Sequence, residues 1–96
     1  MKLSDLHFYS ADATVIGIRA DYLNKSNGQR YLIQSNPHTG VSLSIENDAF
    51  EFDLMVSNAT SNDIEYTLPP GWTYDLFIIA VSFWTQGYAM GREETK

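Results

Sequence analysis

Apolar and polar residues alternate through the middle of the chain with a period of two, the period of a strand whose faces meet different surroundings. Val41-Ser42-Leu43-Ser44-Ile45-Glu46 keeps the pattern without exception. Phe50-Glu51-Phe52-Asp53-Leu54-Met55-Val56 breaks it only at Met55, and Ile64-Glu65-Tyr66-Thr67-Leu68 repeats it. Three such runs in succession predict an antiparallel meander with one face on a core and one in water. Their connections, Asn47-Asp48-Ala49 and Ser57-Asn58-Ala59-Thr60-Ser61-Asn62-Asp63, suit turns, because Asn, Asp and Ser bond locally to backbone. Upstream, residues 14–22 are β-branched and aromatic, with Ile16, Ile18, Ala20 and Tyr22 on one face. The pair Asn27-Gly28 predicts a tight type I′ hairpin leading into a strand over 30–34. Ser35-Asn36-Pro37-His38-Thr39-Gly40 reads as a turn, and residues 6–9 as a short first strand.

The late apolar run, Leu76-Phe77-Ile78-Ile79-Ala80-Val81 with Ser82-Phe83-Trp84 behind it, admits two readings. As a helix it takes Asp75 as its cap and aligns Leu76, Ile79, Ala80 and Phe83. Against that, Phe77, Ile78, Ile79, Val81, Phe83, Trp84 and Thr85 are nearly all strand formers. A continuous apolar strand covered on both faces fits better, and the expectation is a central strand. The chain is accordingly expected to be all-β: a single antiparallel β-sandwich of about seven strands over residues 1–96, with 92–96 a polar tail.

Residues 68–81, Leu-Pro-Pro-Gly-Trp-Thr-Tyr-Asp-Leu-Phe-Ile-Ile-Ala-Val, set a proline-glycine turn between Leu68 and Tyr74 and follow it with apolar Leu76, Ile78 and Ala80 at alternate positions. An aromatic at a strand's start buries its ring while its hydroxyl bonds back to the turn. This stretch resembles the tyrosine corner of fibronectin type III domains, a type of immunoglobulin-like β-sandwich. By that resemblance Leu68, Pro70, Gly71 and Tyr74 form the structural corner. It also implies a non-enzymatic interaction module, of the kind found in extracellular proteins and in bacteriophage virions.

Composition narrows the chemistry. The chain has 96 residues and no cysteine, so neither disulfides nor thiolate zinc sites arise. His7 and His38, the two histidines, show no ligand spacing, and no cofactor is expected. No nucleophile elbow or glycine-rich phosphate loop is present, so the expectation is not an enzyme. Asn24-Lys25-Ser26 and Asn58-Ala59-Thr60 match the glycosylation pattern, and both read as turn chemistry. The first residues hold no apolar signal core and the longest apolar run is too short to span a bilayer. The expected setting is cytoplasmic synthesis without a signal peptide, and incorporation into a virion.

Charge then suggests where a partner binds. Six Lys and Arg against twelve Asp and Glu give a net charge of −6, which disfavours nucleic acid. Between Arg30 and Arg92 there is no Lys or Arg, yet Glu46, Asp48, Glu51, Asp53, Asp63, Glu65 and Asp75 lie in that interval. On the strand assignments above, Glu46, Glu51, Asp53 and Glu65 cluster on one outer face. They are candidate partner-binding residues alongside the aromatic candidates Trp72, Trp84 and Tyr88. Outward carboxylates also suit calcium, although no calcium-binding loop motif is present. The expected partner is another protein: a capsid or tail protein met as a repeating lattice, a second copy of the chain, or a basic target inhibited through the acidic face.

Overall fold

The computed structural model describes residues 3–15, 17–38 and 40–90, the last four of these only as helix backbone. A 3-10 turn at Leu3–Asp5 precedes strands β1 (Leu6–Thr14), β2 (Gly17–Asn24), β3 (Gln29–Asn36), β4 (Gly40–Glu46) and β5 (Phe52–Val56). Two helices follow, α1 (Ser61–Thr67) and α2 (Tyr74–Met90). The strands make one antiparallel sheet in sequence order, so the mostly β character and the meander expected from alternation are present. Among the described residues there is no second sheet of a seven-stranded sandwich: helices lie against the apolar face instead.

Alternation selects that face. Ala20 and Tyr22 of β2, Tyr31 and Ile33 of β3, and Leu43 of β4 are buried beside Leu6 and Phe8 of β1. The helices supply Ile64, Phe77, Ala80 and Val81, and the connection between them supplies Leu68 and Trp72. Tyr22 packs on Phe77 at 5.2 Å between ring centroids and on Tyr31 at 5.5 Å. Phe8 bridges to Phe77 at 6.0 Å and to Trp84 at 6.1 Å. Each such ring contributes about 1.5–3 kcal/mol by leaving water.

Two expected strands are helices, for identifiable reasons. In residues 64–68, Ile64 and Leu68 share a face in either conformation, and the residues between them decide. Thr67 is buried while Tyr66 is 88% exposed, which is helical spacing. Thr60 caps α1 reciprocally: the Asp63 N–H donates to Thr60 Oγ1 (3.2 Å) and the Thr60 N–H donates to Asp63 Oδ2 (2.8 Å). In α2, Phe77, Ala80, Val81 and Trp84 turn to the sheet, one position later than the helical alternative aligned them. Its cap is Thr73 rather than Asp75, since Thr73 Oγ1 accepts from the Leu76 N–H (3.2 Å). The proposed corner residues do turn the chain, but between two helices. Leu68 ends α1, Gly71 takes φ +92°, and Tyr74 opens α2.

Smaller departures come from bulges and turns. Tyr9 is an extra residue between the pairs Phe8–Tyr22 and Ser10–Asp21, so the inward set shifts from Leu6 and Phe8 to Ala11 and Ala13. Met55 is a second extra residue, between the pairs Ser44–Leu54 and Leu43–Val56. At Asn27-Gly28 only the glycine has positive φ, so the connection is a longer loop than a type I′ turn.

Candidate interaction surfaces

The bulge at Met55 reorders the acidic residues. Residues directly opposite in a ladder share a face. Phe52 stands opposite Glu46 and Leu54 opposite Ser44, which puts both apolar residues on the open face of the sheet. Asp53 stands opposite Ile45 and therefore on the helix side, where it accepts from Asn47 Nδ2 at 3.1 Å. Glu51 is exposed just before β5, and Glu65 is on α1, where its Oε2 accepts from the Tyr74 N–H at 2.6 Å. Glu46 lies on the open face, ion-paired with Arg30 at 3.1 Å. The four carboxylates expected on one face are thus divided among two sheet faces, a turn and a helix.

The open face instead centres on Arg30. Its guanidinium Nε and Nη2 donate to the two carboxylate oxygens of Asp21 at 2.8 and 2.7 Å, a fork-to-fork pair. The same plane sits 4.1 Å from the Tyr9 ring centroid and 5.5 Å from that of Phe52. The Tyr9 bulge and the Phe52 parity both serve this arrangement by aiming aromatic rings at one cation. His7 packs edge-on against Tyr9 at 4.9 Å.

Between sheet and helix lies a buried polar network. Thr67 Oγ1 donates to the Ile64 carbonyl at 2.8 Å. A hydroxyl has one proton, so the bond between Tyr22 and Thr67 has the Tyr22 hydroxyl as donor. Asn24 Nδ2 donates to the Thr67 carbonyl at 2.6 Å. Burial pushes the Tyr22 phenol well above its ordinary range, with the Thr67 bond partly opposing the shift. The phenol is thus a neutral structural donor that locks α1 to β2.

Of the aromatic candidates, Trp72 is buried with its indole Nε1–H unpartnered, and Trp84 is half-buried against Phe8. Tyr88 falls within α2, but its side chain lies outside the described residues. The exposed apolar surface is elsewhere. On the outer side of α2, Ile79 is 50% and Phe83 65% exposed, one helical turn apart. Two of the four residues that the helical alternative aligned are therefore an outward stripe. The signal that marks it is apolarity on every side of the helix, which a helix with one covered face does not need.

A shallow pocket of about 200 Å³ opens where β1 turns into β2, lined in part by Asp12, Thr14, Arg19 and Ser35. Gly17 leaves room there for the Ser35 side chain. A Cβ on Gly17 would lie 1.7 Å from Ser35 Oγ, the atom that accepts from the Ile18 N–H at 3.0 Å. Among the described residues no three His, Asp or Glu side chains gather to hold a metal ion, and no helix is long and apolar enough to cross a membrane. No protein-family model, curated protein or solved structure matches the chain.

Proposed function

We propose that this chain is a non-enzymatic protein-binding module that docks by apolar contact through the outer stripe of α2. The observation that carries the reading is the exposure of Ile79 and Phe83 on a helix whose opposite side already fills the core. Covering both residues returns on the order of 2–3 kcal/mol, a substantial share of a micromolar affinity. The stripe carries no charge between Asp75 and Gln86, so its contact is of the kind that salt leaves intact. The dispersal of Glu46, Glu51, Asp53 and Glu65 gives less support to an inhibitor that meets a basic target through one acidic face. A capsid or tail protein in a repeating lattice is a partner of the apolar type. That virion setting rests on the resemblance of residues 68–81 to a tyrosine corner, and those residues lie in a turn and a helix.

The deciding experiment is a pull-down from the natural lysate at low and high salt, with wild type and Phe83→Asp side by side. One protein retained at both salts and weakened at least about tenfold by Phe83→Asp is the expected result. A partner that ignores the substitution but is lost at high salt would overturn the helix-face reading in favour of the acidic one.

A further inference from the structure

The far edge of the sheet offers a second surface, independent of the helix stripe. Among the described residues β5 pairs only with β4, while α2 lies over β1 at the opposite edge. One side of the β5 backbone therefore presents N–H and C=O groups with no strand beside them. Exposed large apolar residues gather at this edge. Phe50 is 83% and Leu54 62% exposed, and Met55 is exposed as well. Phe50 is also held at φ +62°, a conformation uncommon for an aromatic, by a turn in which Asn47 Oδ1 accepts from the Ala49 and Glu51 N–H groups. Around these residues Asp48, Glu51 and Asp53 are exposed, while Arg30, 5.5 Å from the Phe52 ring, is already ion-paired with Asp21 and Glu46.

Charge decides the occupant. A second copy pairing through the same edge would bring Glu51 and Asp53 close to their own counterparts, and like charges across a ladder are destabilising. The shortness of β5, its bulge and its acidity guard it against self-pairing. None of these guards against a strand of opposite charge. We propose that β5 accepts an extended basic segment of a partner protein as a sixth strand. Apolar side chains of the segment lie beside Phe52 and Leu54 on the open face, and its lysines or arginines lie beside Asp53 on the other and near Glu51 at the end. Main-chain bonds supply the affinity and the alternation supplies the choice of sequence.

The test uses three fluorescein-labelled eight-residue peptides read by anisotropy: lysine alternating with valine, lysine alternating with proline, and glutamate alternating with valine. The proline peptide carries the same charge but cannot form a strand ladder. The lysine-valine peptide is expected to bind, the proline peptide roughly tenfold more weakly, and the glutamate peptide not measurably. Asp53→Lys should weaken the lysine-valine peptide by about tenfold while leaving the circular dichroism spectrum unchanged. Amide hydrogen exchange at Phe52 and Leu54, whose N–H groups alternate with that of Asp53 and point away from β4, should slow in the complex. Should Asp53→Lys disturb folding, Asp53→Asn reads the same interaction with a smaller loss. Equal binding of the valine and proline peptides, or protection confined to strands other than β5, would overturn the proposal.

Discussion

Tyr22 shows how one hydroxyl links two elements. Because Thr67 spends its own proton on the Ile64 carbonyl, it is the only described acceptor for the buried Tyr22 donor. Thr67→Val is expected to cost about 1–3 kcal/mol by stranding that donor, whereas Tyr22→Phe costs about 0.5–1.5 kcal/mol by removing a satisfied bond. Urea denaturation of the two variants and of the double variant checks this, with the double cheaper than the sum. Equal costs with full additivity would show that the hydroxyls do not interact. The same phenol carries a pH signature. Its pKa is raised on folding, so the stability it contributes is complete below about pH 10, the ordinary tyrosine value, and is lost as pH rises beyond it. Tyr22→Phe should make the alkaline limb of the stability curve shallower than in wild type.

At the scale of the element, caps and bulges settled what periodicity left open. The strands β2, β3 and β4 were legible because one covered face and one wet face leave an unambiguous alternation. In α1, Ile64 and Leu68 satisfy a period of two and a period of 3.6 together, and the choice fell to Thr67 and to the Thr60–Asp63 capping box. In α2, strand-forming residues fold as a helix because packing of Phe77, Ala80, Val81 and Trp84 outweighs a propensity difference of a few tenths of a kcal/mol per residue. The run's length is no guide, since the nine residues 76–84 fit a strand as well as a helix. In β5 the single break in alternation at Met55 marks a bulge, which puts Asp53 on the helix side of the sheet rather than on the outer face. The cap is testable. Thr60→Ala is expected to lower stability by about 1 kcal/mol. Thr60's backbone N–H, then its hydroxyl, hold the Asp63 carboxyl below the ordinary aspartate value. Its contribution is present above about pH 4 and is lost as pH falls through the lowered folded-state value. Asp63→Asn should flatten the acid limb of the stability curve, measured by urea titration from pH 7 down to pH 2; an unchanged limb would remove Asp63 from that role.

For the whole molecule, net charge and exposed apolar surface act against each other. The charge of −6 keeps copies apart at neutral pH, and the sequence isoelectric point near 4.5 marks where that protection vanishes. Sedimentation at pH 7 and pH 4.5 is expected to show self-association only at the lower value, reduced by Phe83→Asp. Association that survives this substitution would place the contact away from α2. The packing of α2 across β1 also sets the order of events during synthesis. β1 leaves the ribosome long before α2 exists, and at about 5–20 residues per second the gap lasts several seconds. Through that interval Phe8 and Tyr22 have no Phe77 to meet, and a nascent meander stands with its oily side bare. Neighbour-to-neighbour strand pairing lets the sheet begin early, but its consolidation waits for translation to reach the last turns of the helix.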